Sequence, residues 1–401
     1  MEQRSLDQGV TAAQGFEAGA VACGIKEVSS KLDLAVLLSI GPATVAGVFT
    51  QNLAAAAPVK LTRERVRAGK ASAIVVNSGN ANACTGSQGY DDAKRMARAV
   101  AERFSLPEAG VLVCSTGVIG VPMPMDRVID GIGRVALAPE GGDEFAHAIM
   151  TTDTRMKTCC VERSVGDAIV RIGGAAKGSG MIHPNMATLL GFITTDARVS
   201  PAFLQATLRS AADRSFNMIS VDGDTSTNDT LLVLANGAAG GSEIDFGGAG
   251  ADDFAGALAE VCTDLAKQLV QDGEGARTLI EIRVQGARDD ADARRAARVI
   301  SASNLVKTAV FGGDPNWGRV ICAAGYSGAA LEVDRATLWL GDVCLFRAGV
   351  GLPYSREFAS ELLRRPRTSF TLDLGLGEGA AVAWTCDMSY DYVRINGEYT
   401  T

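Results

Sequence analysis

The stretch Lys177–Ala197, KGSGMIHPNMATLLGFITTDA, constrains this chain more than any other. A glycine-flanked lysine and serine lead to a turn at Pro184, and Thr188 then stands among small and apolar neighbours. After it, LLGFITT is a continuous apolar, β-rich run, the pattern of a buried strand. A threonine opening a buried strand behind a flexible glycine segment admits two readings. In the first it is a strand threonine with no further role. In the second the Ala187–Thr188 bond is cut, and Thr188 becomes an N-terminus with a hydroxyl and a free amine on one residue. An α-amine titrates near pH ~7.7–8.0, so such a residue is a nucleophile carrying its own base.

Bulk properties narrow the setting. A length of 401 residues with 47 % apolar content suits two or so domains, or one large interlocked body. The net charge of −8, with no basic cluster interleaved with aromatics, argues against nucleic-acid binding. The first residues, MEQRSLDQGV, lack the apolar core of a signal peptide, and no run approaches the ~18 apolar residues of a membrane span. Nine cysteines include no CxxC pair, and Cys114 and Cys322 lie in apolar runs. This reads as buried thiols in a reducing compartment, with neither a zinc site nor disulfides, and so as a cytoplasmic protein.

Along the chain, Leu34–Ile40 and Val45–Thr50 read as two strands parted by Gly41-Pro42. Ala73–Gly86 is a strand running into a Gly/Asn-rich loop, followed by helical spacing over Asp91–Phe104. Val111–Gly120 repeats the strand-then-glycine pattern. Its Ser115-Thr116-Gly117 corner is a plain β-turn or a hydroxyl and backbone N–H able to hold an oxyanion. Met125–Ala136 reads as a helix, and Thr151, Thr152 and Thr154 stand around Asp153. Asp167–Gly180 is a strand ending in glycines ahead of Lys177; without GxxxxGK[ST] it is no P-loop. Pro201–Phe216 reads as a helix capped by Ser200. Asp222, Asp224 and Asp229 form either a divalent-cation site or, with the intervening Thr, Ser and Asn, a self-bonded turn. A long amphipathic helix ends at Asp272-Gly273, which leaves Glu274 between glycines in an exposed position. TLWLGDVCLF, TSFTLDLGLG and AAVAWTCD supply later strands, and in GGDPNWGR Trp317 is a packing anchor.

Taken together, VTAAQGFEAGAVACGIK, VVNSGNANACTG, CSTGVIG, KGSGMIHPNMATLLGFITTDA, SFNMISVDGDTSTND, DGEGA, LVKTAVFGGDPNWGR and YVRINGEYTT resemble the ornithine acetyltransferase/N-acetylglutamate synthase family over nearly the whole chain. The tail departs from it at Gly397, where alanine commonly follows the asparagine. The resemblance implies an α/β fold of stacked sheets and helices, of the ornithine acetyltransferase/DmpA-like type. It shares the logic of N-terminal-nucleophile hydrolases but not their topology. Self-cleavage would give an α piece, 1–187, and an intertwined β piece, 188–401, assembled as α2β2.

The resemblance also implies roles. Thr188 is the nucleophile and Ala187–Thr188 the cleavage site, with Thr116 and Gly117 as oxyanion hole. Thr152 (or Thr151), Lys177, Glu274, Asn396 and Thr401 hold substrate, Glu274 receiving the ammonium of a basic amino acid. The expected reaction moves acetyl from N-acetylornithine to glutamate through an acetyl-threonine ester, with acetyl-CoA as a further donor and no metal or bound cofactor. His183 is either a base or a turn-stabilising residue. Rival readings are a monofunctional paralogue, and an aminopeptidase or amidase in which water replaces glutamate. A metal- or phosphate-binding module without covalent chemistry is the third.

Overall fold

The structure, a computed structural model, describes residues 8–26, 30–183 and 189–398. Ala187, Thr188 and Thr401 therefore lie outside the described residues. The first sheet uses β1 (Phe16–Val21), β2 (Leu34–Phe49), β3 (Lys70–Asn80), β4 (Val111–Val118), β5 (Lys157–Val165), β6 (Ala168–Lys177) and β7 (Leu190–Thr195). The short β8 (Ile219–Ser220) belongs elsewhere, and β9 (Thr230–Ala235) completes this sheet. The order is β4-β3-β2-β9-β7-β6-β5, with β1 on β2. Strands from both sides of residue 188 interleave: β9 lies on β2, and β7 sits between β9 and β6.

Side-chain alternation shows how this sheet is covered. Ala35, Leu37, Ile74, Val76, Leu112 and Cys114 share one core with Leu190, Phe192, Leu232 and Leu234 from the other half. The opposite faces of the same strands go elsewhere. Leu34, Val36, Ala73, Val75, Val111 and Val113 pack under α2 (Gly86–Phe104) and α3 (Met125–Arg134), beyond α1 (Ala57–Val66). Ile193, Leu231 and Val233 pack against α5 (Pro201–Arg214) and α6 (Ala251–Gln271), while α4 (Gly142–Ile149) closes one end of the inner core. The sheet is thus folded over on itself, with helices outside both halves.

The corner lies in β2, and here the sequence expectation needs correcting. Leu34–Ile40 and Val45–Thr50 are not two strands. The backbone stays extended through Gly41-Pro42, and five intervals from Leu38 to Ala43 match two on β3, from Ala73 to Ala71. The extra residues make a bulge, which bends a strand without ending it. The Ser200 cap is found as expected, its hydroxyl accepting from the Phe203 amide at 3.4 Å.

A second sheet holds β10 (Leu279–Ala287), β11 (Thr337–Leu340), β12 (Val343–Arg347), β13 (Val350–Gly351), β14 (Arg367–Asp373) and β15 (Gly379–Cys386), ordered β13-β12-β11-β14-β10-β15-β8. TLWLGDVCLF is a hairpin, since Gly341 adopts φ +54° between β11 and β12. Helices α7 (Asp290–Ala302), α8 (Asn304–Phe311), α9 (Trp317–Gly325) and α10 (Arg356–Leu363) complete this half, and α11 (Tyr390–Glu398) follows β15. Trp317 stacks on Phe346 at 5.2 Å, as a packing anchor should. Cys114 is buried as expected, but Cys322 is exposed because its side of α9 is left uncovered.

Phe192 is fully buried between the sheet halves, edge-on to Phe145 at 5.2 Å. Phe192→Ala should cost about 3–5 kcal/mol in denaturant unfolding. A loss below about 1 kcal/mol would mean that this inner core is not continuous.

Candidate active site

The strand ends converge on one cavity of about 120 Å³. Thr116 and Gly117 reach it from the end of β4 and Lys177 from the end of β6. Gly117 takes φ +133°, and a Cβ there would lie 2.3 Å from the Gly79 carbonyl carbon. No larger residue fits so close to β3. Lys177 is paired with Leu190 across β6 and β7, and its Nζ donates to Thr116 Oγ1 at 3.2 Å. Because the lysine supplies that proton, the Thr116 hydroxyl keeps its own for a further acceptor.

Thr151, Thr152, Glu274 and Asn396 line the same cavity, as do Leu189 and Leu190, the first described residues after position 188. The structure thus gathers every expected site residue that it describes. Ala187, Thr188 and Thr401 fall outside the described residues. Glu274 is not the exposed residue that its glycine neighbours suggest: only 9 % of it is accessible. Its amide donates to Ser179 O at 2.8 Å and Asn396 Nδ2 to its Oε2 at 2.7 Å. A Cβ at Gly180 would sit 2.5 Å from its carboxyl. The DGEGA turn is therefore folded onto the segment after Lys177. That segment also holds Thr152, whose hydroxyl meets Ser179 Oγ at 2.6 Å.

Charges behind the cavity hold it in place. Lys157, wholly buried, bridges Asp153 and Asp272 at 2.5 Å each. Asp153 also accepts from the Gly178 amide at 2.7 Å and the Thr151 amide at 2.8 Å. Burial would raise the Asp153 carboxyl, but Lys157, Lys177 and these hydrogen bonds prevail and hold it at about 2. Lys177 moves the other way: burial lowers it, opposed by Asp153, while Lys157 lowers it further.

The Asp222–Asp229 cluster does not converge. Asp222 accepts from the Met181 and Ile182 amides at 2.6 and 2.8 Å. Asp229 instead starts β9 and lines the cavity. Burial drives its carboxyl well above the ordinary range, against hydrogen bonds from Ser226, Thr50 and the Leu189 amide and the charge of Lys177. Its Oδ2 has no partner among the described residues. His183 lies against Ser220 Oγ through Nδ1 at 3.2 Å and against Arg298 Nη2 through Nε2 at 3.2 Å. Arginine can only donate, so Nε2 accepts and the ring is neutral.

A family profile described as the ArgJ family matches residues 17–401. The chain belongs to the ArgJ family. Among its relatives, the arginine biosynthesis bifunctional protein ArgJ of Symbiobacterium thermophilum is 56 % identical over 399 residues, 99 % of each chain. That of Caldanaerobacter subterraneus is 49 % identical over 402 residues, again 99 % of each. In a solved structure, the protein of the same name from Bacillus halodurans superposes with a TM-score of 0.52 at 42 % identity, covering 53 % of this chain and 100 % of that one.

What sequence reasoning missed in this ArgJ-family chain is the support: Asp153, Lys157, Asp272 and the cavity-lining Asp229. Asp153 and Asp272 lie 119 positions apart, so no local pattern announces their shared lysine. For His183 the turn-stabilising role is the one that its contacts fit. Burial, and then Arg298, lower its titration from the ordinary ~6.5 to about 4. Unfolded histidine protonates first as pH falls, so this contribution is intact above about 6.5 and lost as pH falls toward 4. Urea unfolding of His183→Gln should show a shallower loss across that window than the unsubstituted protein; parallel curves would refute the assignment.

Proposed function

We propose that this chain transfers the acetyl group of N-acetylornithine to glutamate, with Thr188 as nucleophile. The observation that carries the proposal is the Lys177–Thr116 contact at the cavity where the chain emerges from position 188. A catalytic hydroxyl donor, a glycine amide and a buried cation meet there, with Glu274 facing the same space.

Maturation comes first. The Thr188 hydroxyl attacks the Ala187 carbonyl carbon, the C–N bond breaks, and the α-amine is freed as an ester forms. Water hydrolyses that ester and leaves a carboxylate on Ala187. The products are an α piece, 1–187, and a β piece, 188–401, held together by the interleaving of β2 with β9 and β6 with β7. Residues 188–401 number 214 of 401, or 53 %, the share of this chain that the fully matched Bacillus halodurans chain covers.

In turnover the α-amine of Thr188 takes the hydroxyl proton as the oxygen attacks the acetyl carbonyl. Thr116 and Gly117 stabilise the oxyanion. Its collapse breaks the C–N bond, ornithine leaves with the proton, and an acetyl-threonine ester remains. The glutamate amine then attacks the ester, Thr188 recovers its proton, and N-acetylglutamate departs. Lys177 orients Thr116 and faces a substrate carboxylate, and Glu274 receives the side-chain ammonium of ornithine. Thr152, Asn396 and Thr401 frame the rest of the amino acid; Thr151, beside Thr152 at the cavity, is the alternative.

The relatives' shared name, bifunctional protein, supports a second activity, acetyl-CoA-dependent acetylation of glutamate. An α2β2 assembly and a cytoplasmic setting complete the reading.

Thr188→Ala should run as one uncut polypeptide on a denaturing gel and show no acetyl exchange between N-acetylornithine and labelled ornithine. Thr116→Ala should slow processing and lower turnover ~10²–10³-fold. A fully active, uncut wild-type chain with no acetyl group trapped on residue 188 would defeat the mechanism. Steady-state acetylation of glutamate by acetyl-CoA tests the second activity, and a rate no higher than without enzyme would confine the chain to recycling.

A further inference from the structure

A second concavity lies between α5 and α7, an open groove of about 1010 Å³. Five arginines line it, Arg209 and Arg214 from α5 and Arg294, Arg295 and Arg298 from α7, on a chain whose net charge is −8. Arg294 and Arg298, four residues apart, are neighbours on one face of α7. Two carboxylates share the lining, and both are engaged: Asp213 accepts from Asn217 Nδ2 at 2.8 Å and Asp290 from the Ala380 amide at 3.0 Å. Arg295 is paired with Asp292. The other four arginines have no carboxylate partner among the described residues. Among the described residues Arg214 bonds to Ser210 alone. Arg298 is half-buried and there meets only Asn217 O and His183 Nε2, both neutral. A guanidinium so placed is an uncompensated charge, and burial lowers its titration accordingly.

The groove lies next to the active cavity. Arg298 holds His183, whose carbonyl accepts from the Thr225 hydroxyl at 2.9 Å. Met181, two residues before His183, and Ser226, one after Thr225, both line the cavity. Size separates the two spaces. The cavity of about 120 Å³ falls short of the ~300–1,000 Å³ of pockets that bury ligands of drug size, whereas the groove suffices.

We propose that this arginine groove binds the phosphate-bearing nucleotide end of an acyl-CoA donor, directing the thioester toward the cavity. The proposal rests on the reading that the chain accepts acetyl from acetyl-CoA. The 3′-phosphate and pyrophosphate present the oxygen geometry that guanidinium forks pair with, and Arg209 and Arg294 are free to supply those forks.

The test uses the mature, full-length protein and Arg209→Gln with Arg294→Gln, both outside the catalytic cavity. CoA itself is the binding probe, by titration calorimetry. The double substitution should weaken CoA binding and raise KM for acetyl-CoA about ten-fold or more, with kcat little changed. Acetyl exchange from N-acetylornithine should stay at the wild-type rate, which also reports an intact fold. The acetyl-CoA KM of the wild type should rise with salt, and that rise should flatten in the variant. Unchanged CoA affinity in the variant would overturn the proposal. So would a wild type that exchanges acetyl normally yet binds no CoA. Absence of exchange in the wild type would instead strike at the acetyltransferase reading, and the groove would fall with it.

Discussion

A buried lysine that must touch a threonine across the fold is the constraint on which this site depends. Lys177 ends β6 and Thr116 ends β4, strands at opposite sides of one sheet order, yet their side chains meet at 3.2 Å. That contact exists only because the sheet doubles over at β2 and brings its two halves face to face. A buried ammonium without compensation costs several kcal/mol. The surrounding carboxylates answer that cost: Asp153 most strongly, then Glu274, with Lys157 opposing. The same groups that make Lys177 tolerable therefore fix where the Thr116 hydroxyl stands.

Compensation is shared unequally, and the inequality has chemical meaning. Asp153 is held ionised by two lysines and by backbone amides from both the Thr151 turn and Gly178. It therefore ties the Thr151 turn to the strand end that carries Lys177. Asp229, equally enclosed but with fewer cationic neighbours, is driven toward its neutral acid. Two carboxyls lie near one lysine with opposite tendencies, because one has a second cation at 2.5 Å and the other has only hydrogen-bond donors. His183 follows the same logic: a guanidinium against its ring keeps it neutral and ties its turn to α7.

Much of this was legible in the residues themselves. Strand runs such as VLVCSTGV and LGFITT, the Ser200-Pro201 helix start and the glycine at 117 are local, since propensity, capping and φ depend on neighbours in sequence. The errors were also local readings. Gly41-Pro42 looked like a turn, but extended backbone accommodates a proline where the ladder is already broken by a bulge. Glu274 looks exposed because glycines flank it, but Gly180, which has no Cβ, lets its carboxyl pack against the segment after Lys177.

The sequence by itself determined which chemical groups the chain carries, because a hydroxyl, a glycine φ or a lysine charge belongs to the residue. Tertiary structure alone decided their energetics and company. Asp153 with Asp272 on one lysine, Asp229 beside Leu189, and arginines of α5 facing those of α7 are pairings between distant positions. Burial sets the strength of each charge, and burial is created only when the sheet closes over its own inner face.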